Sequence, residues 1–313
     1  MAYVKGNTIL AADLNGLLST VRSVYGVGNG NRGYGQTAVS QSDVVANNII
    51  TAAAWSNLRT IINTCANHQG TATTLLTPSG SFAAGQTVIA HESDAPSNNA
   101  YDLNGMVTAI DTNRLTAAVG SMTLTSAAHT VTRATTWGSG GSATINCTVD
   151  VSFTSEDQAR YFFNSGGEVR IRPTHSSTSG TQNQNWNSIL STKIGTMTLN
   201  AGSFSISGTQ TASVTNTGFY GLTTTATSLF NGLNIGTGAY TANDFTVTAQ
   251  VLNRVGTNGG NGNGIRFIIS FIDEHTGTSD TVASGTNVIF DHYRATTHLT
   301  GIVVPTYATT DGL

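Results

Sequence analysis

The sequence predicts an α+β protein. A small N-terminal helical bundle over residues 1–118 precedes a mostly antiparallel, β-sandwich-like domain over residues 119–313 with two short inserted helices. Three observations predict this. Segments in the first third repeat apolar residues at three- and four-residue spacing, the helical period. From about Val119 the apolar period changes to two. Thr-, Gly- and Asn-rich turns then separate the short apolar runs, as in a domain of many strands.

Leu14, Leu17, Leu18, Val21, Val24 and Tyr25 mark a first amphipathic helix over about residues 11–25. Gly26 to Gly35 ends it in a turn-rich loop, and residues 28–36 are the expected contact loop to neighbouring molecules. Trp55, Leu58, Ile61, Ile62 and Cys65 mark a second helix. Asn7–Leu17 and Asn48–Leu58 share Asn, Ile, Ala, Ala and Leu at a fixed offset, so the two helices read as copies. A third helix starts near Asp102-Leu103-Asn104-Gly105 and continues through Met106, Val107, Ile110 and Leu115. Three apolar stripes need one another, and Leu14, Leu17, Trp55 and Ile62 are the expected centre of the bundle. Thr71 to Ala100 is a long excursion between the second and third helices.

Ser142 to Arg172 is the organising stretch of the second part. Ala143, Ile145, Cys147, Val149, Val151 and Phe153 alternate with polar residues as in a half-buried strand. Ser155 and Gln158 have the spacing of a capping box, and Glu156 and Asp157 suit the positive end of the helix that follows. Gly166-Gly167 end that helix, and a strand follows over Glu168–Arg172. Arg160, Arg170 and Arg172 have no partner assignable from sequence and mark an expected contact surface. Further strands are expected near Ser121–Thr125, Gly195–Leu199, Ser203–Ser207, Phe245–Leu252, Asn287–Phe290 and Gly301–Val304. Ile265–Asp273 is apolar on both faces and should be central. A short helix near Asn183–Ile194 turns Trp186, Ile189, Leu190 and Ile194 to one side.

Only 9% of the 313 residues are charged, so Thr, Ser, Asn and 35 Gly must supply the polar surface. The net charge of −3 gives no electrostatic footprint for nucleic acid. No apolar run reaches the length of a membrane span. The start of the chain lacks the basic and apolar regions of a signal peptide, which points to synthesis in a cytoplasm. Cys65 and Cys147 sit on apolar faces and read as buried free thiols.

No motif in the chain specifies a reaction. Gly28-Asn29-Gly30-Asn31-Arg32-Gly33 spells GxGxxG, but a helix precedes it where a dinucleotide site needs a strand. Asp273, Glu274, His275 and Asp280 surround a turn whose spacing fits neither an EF-hand nor HExxH, so it reads as a solvated hairpin. The seven histidines are scattered, no GxSxG elbow is present, and Glu156 is accounted for by its helix start. No catalytic, cofactor-binding or metal-ligating residue is assigned. Among the aromatics, Trp186 reads as core, and Trp137, in TTWGSGGS, reads as exposed; Tyr220, Tyr240 and Tyr293 are further candidate stacking faces. Asn146-Cys147-Thr148 matches a glycosylation sequon but falls within an expected strand.

Three stretches carry a resemblance: MAYVKGNTILAADLNGLLSTVRSVYGVGNGNRGYGQ, AAAWSNLRTIINTCANHQG, and VDVSFTSEDQARYFFNSGGEVRIR followed by QNWNSILSTKIGTMTL. In these the chain resembles a family of virion structural proteins from tailed bacteriophages, especially large marine and cyanobacterial types. The resemblance covers most of residues 1–200; from Asn200 onward it extends only to general β character. It implies an assembled role in a tail, neck, collar or fibre, and supplies no catalytic residues. The expected function is therefore a non-enzymatic virion component. Its expected partners are copies of itself and other tail or neck proteins, with neither nucleic acid nor a membrane span involved. The alternative is a module on the virion surface that binds a host receptor or carbohydrate through loops of the β domain.

Overall fold

The computed structural model describes residues 8–37, 40–71, 103–116, 122–124, 128–138, 143–277, 280–295 and 302–313. Most of the expected excursion between the second and third helices, with His91 and Glu92, lies outside these residues, as does His298. The chain is α+β and divides into two compact units. One comprises Met1–Met122, Asn164–Gly166 and Ala295–Ile302; the other comprises Thr123–Phe163, Gly167–Arg294 and Val303–Leu313.

In the first unit, α1 (Ala11–Tyr25), α2 (Ala52–Gln69) and α3 (Leu103–Thr112) share one hydrophobic cluster. Leu14, Leu18 and Val21 of α1 meet Leu58, Ile61, Ile62 and Cys65 of α2 and Met106, Val107 and Ile110 of α3. Each large apolar side chain so buried contributes about 1.5–3 kcal/mol. The helix ends follow from local chemistry. The Asp13 carboxylate accepts from the Leu10 amide at 2.8 Å, Thr51 Oγ1 accepts from the Ala54 amide at 3.2 Å, and Gly70 closes α2 in the left-handed conformation.

The loop over residues 28–36 is folded onto its own unit. Gly33 has φ of +106°, and a Cβ there would lie 2.2 Å from the Val27 carbonyl. Tyr34 is fully buried; its hydroxyl donates to the Arg114 carbonyl at 3.0 Å and accepts from Gln69 Nε2 at 2.7 Å. Arg32 grips both Asp111 oxygens at 2.6 and 2.7 Å. Residues 28–36 therefore serve as a packed clasp on their own unit, which explains GxGxxG as turn geometry.

The second unit holds two antiparallel sheets. Its strands are β1 (Met122–Leu124), β2 (His129–Arg133), β3 (Ala143–Ser152), β4 (Glu168–His175), β5 (Met197–Leu199), β6 (Phe204–Ile206), β7 (Thr227–Gly232), β8 (Asp244–Leu252), β9 (Gly264–Asp273), β10 (Thr286–Ala295) and β11 (Thr306–Asp311). One sheet runs β1-β10-β4-β5-β6, with β2 also on β10; the other runs β11-β3-β9-β8-β7. β9 is central, as its apolar composition requires. Rows such as Cys147–Ile269–Val247 and Ile145–Phe271–Phe245 cross the inner face of that sheet. Aromatic contacts join the inner faces: Phe267 meets Phe290 at 5.7 Å between ring centroids. The two inserted helices are α4 (Glu156–Asn164) and α5 (Thr181–Ser188), and α5 runs on into a π-helical turn over Ile189–Ile194.

Trp137 is not an exposed aromatic. It is 5% exposed, its ring lies 5.0 Å from Trp186, and its indole N–H donates to Thr286 Oγ1 at 3.2 Å. A Gly/Thr-rich neighbourhood hid this, because the tryptophan is held by a bridge to Val282, far along the chain. The strand expected at residues 301–304 lies further on, as β11, whose mostly exposed, polar residues carry no alternating signal. β7 was equally hidden. A register shift between Ser228 and Phe230 buries both Leu229 and Phe230, which breaks the period of two.

Both thiols are free and buried, and burial pushes each up to about 12. Cys65 belongs to the first unit and Cys147 to the second. A thiol reagent at pH 8 is expected to label each at least about a thousandfold more slowly than in denaturant, given an opening cost of ~4 kcal/mol or more. Rapid labelling of either residue in the native protein would contradict the burial.

Candidate functional site

The polar residues of the α4 segment are committed to a distant loop. Ser155 caps α4 as expected, its Oγ accepting from the Gln158 amide at 3.2 Å. The reciprocal half of the capping box is not the use made of Gln158: its Oε1 accepts from the Val303 amide at 3.2 Å. Glu156 does more than face the helix dipole. It is 7% exposed, and its Oε1 accepts from the backbone amides of Val255, Gly256 and Gly262 at 2.7, 3.1 and 3.1 Å. Arg160, fully buried, donates to Asp157 at 2.7 Å and to the Asn258 carbonyl at 3.4 Å. Two charged side chains of one short helix thus hold the loop between β8 and β9.

That loop is bent at many points. Asn253, Gly256, Asn258, Gly259 and Gly262 all have φ between 50° and 90°. Asparagine tolerates this region better than other side-chain-bearing residues, at an energetic cost. Gly260 allows close approach, since a Cβ there would sit 2.8 Å from Glu156. Asn261 Nδ2 donates to the carbonyls of Phe219 at 2.5 Å and Leu222 at 3.3 Å. Asn253 Nδ2 donates to Asn263 Oδ1 at 3.1 Å. The outcome is a surface loop bonded at several points, with Val255 80% exposed. A cleft of about 300 Å³ opens beside it, lined by Ser155, Glu156, Asp157, Asn253, Val255, Thr257 and Asn263. Six of these seven carry a side-chain oxygen. The Gly/Asn run Gly256–Gly264 was its only sequence signal, and it reads as an ordinary hairpin turn.

The other expected contact residues also have partners within the chain. Arg170 is bonded to Glu168 at 2.7 Å and its guanidinium stacks 3.9 Å from the Tyr293 ring centre. Arg172 donates to Asp291, whose side chain is fully buried, at 2.5 Å. All three arginines thus have acidic partners within the chain that the sequence did not reveal.

Two clusters have the residue types of catalysis. Thr286, His175 and Asn183 form a line with the outline of a nucleophile–base–orienter set: His175 Nδ1 lies 3.1 Å from Thr286 Oγ1 and its Nε2 lies 2.8 Å from Asn183 Oδ1. These residues are only 1%, 5% and 8% exposed, and Trp137 donates to the same hydroxyl. The line ties β4, β10 and α5 together inside the core. At the turn after β9, Asp280 accepts from the Tyr240 hydroxyl, which this bond pushes up to about 12, and lies 3.7 Å from His275 Nε2. Asp273 is buried beside Gln182, and desolvation raises its pKa. Among the described residues no three His, Cys, Asp or Glu side chains converge on one metal position. A second, larger cleft of about 470 Å³ borders α5 and the Thr237–Tyr240 turn. There Asn185 donates to Thr237 at 2.8 Å, so two of its polar side chains are joined to each other.

Burial lowers the pKa of His175 and of His292. Both imidazoles are neutral in either state above pH ~6.5, the ordinary value. Below it the unfolded chain takes up protons that the folded chain refuses, so stability falls with acidification by up to about 1.4 kcal/mol per pH unit for each histidine. Asp273 has the opposite sign: its raised pKa favours the folded state at low pH and costs stability as pH rises through the folded value. The urea midpoint of the second unit is expected to drop between pH 7 and 5.5. An unchanged midpoint would show that these histidines are solvated.

No protein-family model, curated protein or solved structure matches this chain.

Proposed function

We propose that the chain is a non-enzymatic virion structural protein of a tailed bacteriophage. In this reading it is a tail or neck/collar fibre-like component, assembled in the host cytoplasm as a homo-oligomer and joined to other tail or neck proteins. The three helices act as a small bundle for attachment, and the two sheets form a β-sandwich. The observation that supports this is how the few charges are used. Arg22–Asp43, Arg32–Asp111, Arg160–Asp157, Arg170–Glu168, Arg172–Asp291 and Arg266–Asp150 neutralise one another within the chain. Rows such as Asn146–Ser270–Thr246 and Thr148–Ile268–Thr248 then carry mainly hydroxyl and amide groups across the outward side of β3, β9 and β8. Interface cores are depleted of charge because desolvating it is costly, so such a surface suits close packing between subunits.

Density for this chain in a map of the whole particle, with an oligomer in sedimentation, is the expected result. A monomer at high concentration that is absent from assembled particles would overturn the reading. The pinned β8–β9 loop favours a second reading, a recognition module for a host surface glycan or receptor. A strained loop held by buried charges spends stability on a fixed outward shape, which suits binding.

A further inference from the structure

We propose that the cleft between the start of α4 and the β8–β9 loop binds a neutral saccharide through adjacent hydroxyl groups. This deepens the recognition reading and rests on it. Several polar groups of the cleft keep hydrogen-bonding capacity. Asn253 donates to Asn263, which leaves Asn253 Oδ1 as an acceptor and Asn263 Nδ2 as a donor. Ser155 Oγ accepts from Gln158, so its O–H is free to donate. Asp157 uses Oδ1 on Arg160, leaving Oδ2, and its side chain is 32% exposed. Thr257 adds a hydroxyl at the exposed loop. A carboxylate, two amides and two hydroxyls around one cleft supply both donors and acceptors, as a pair of neighbouring sugar hydroxyls requires. Val255, 80% exposed, offers an apolar patch for the C–H face of the ring.

Charge narrows the ligand class. Asp157 and Glu156 are the charged groups among the described residues that line the cleft. Arg160, the partner of Asp157, is fully buried and is not among the lining residues, so an anionic sugar would meet the carboxylates themselves and neutral sugars are selected. The bonds from Glu156 and Arg160 to the loop also favour binding, because a loop anchored before any ligand arrives has a lower ordering cost.

The experiment is an amide-shift titration of the full chain with methyl glycosides of glucose, galactose and mannose, with glucuronate as the anionic probe. At least one neutral glycoside is expected to shift Asn253, Val255, Thr257 and Asn263 with Kd on the order of 1 mM, and glucuronate to bind at least about tenfold more weakly. The double variant Asn253→Gly, Thr257→Val keeps the left-handed backbone and the side-chain volume at 257, and should weaken binding about tenfold or more. No shifts with any neutral glycoside, equal binding of glucuronate, or undiminished binding by the folded double variant would each overturn the assignment. Adsorption of the chain to host cells separates the two levels. Adsorption unaffected by the double variant rejects this cleft and leaves surface recognition standing. No adsorption at all rejects the recognition reading itself.

Discussion

Replacing Glu156 by alanine is expected to destabilise the second unit by about 3–5 kcal/mol and to release the β8–β9 loop. Three backbone amides, those of Val255, Gly256 and Gly262, lose their common acceptor. A hydrogen bond to a charged group is worth about 1.5–3 kcal/mol, and the bonds share one oxygen, so their sum is not additive. Alanine also leaves Arg160 buried beside Asp157 with less negative charge nearby. Glu156→Gln retains an amide oxygen that can accept, and should cost about half as much. Urea unfolding gives the stability, and amide exchange at the three residues reports the loop. If those amides stay protected in the alanine variant, the loop's own turns at Gly256–Gly259 and Thr257–Gly260 hold it.

The second large effect is expected at Trp186, fully buried at the junction with Trp137 and Phe271. Trp186→Ala should cost about 3–5 kcal/mol, as large-to-small changes in a packed core do. Trp186→Phe should cost only about 1 kcal/mol, because it keeps most of the aromatic surface and removes a buried indole N–H that has no hydrogen-bond partner among the described residues. The contrast between the two variants is the measurement, read from thermal or urea midpoints. A phenylalanine variant as damaged as the alanine variant would mean that the indole N–H is bonded in solution.

These residues show where reading the chain succeeds and where it stops. Periodicity within one helix or strand located α1, α2, β3, α4, the start of β4 and central β9, since side-chain direction follows from local backbone geometry. The core residues Leu14, Leu17, Trp55 and Ile62 followed from the same rule, and all four are buried. Buried free cysteines were legible because each sits in phase with apolar neighbours. Ser155 was legible as a cap because its partner is three residues away.

The destinations of the polar side chains were decided elsewhere. Glu156 reaches amides 99 to 106 residues along the chain, and Arg172 reaches Asp291 across 119. No local pattern specifies such pairs; the antiparallel register of β4 with β10, and of β8 with β9, creates them. The same holds for Trp137, buried by a bridge to Val282, and for β7, where a bulge overrides alternation. By itself, then, the sequence determined the α+β class, most of the helices and the central strands, because those depend on short-range periodicity. Tertiary structure alone decided that a helix start would become the anchor of a loop, because burying a carboxylate is favourable only where several distant amides converge on it.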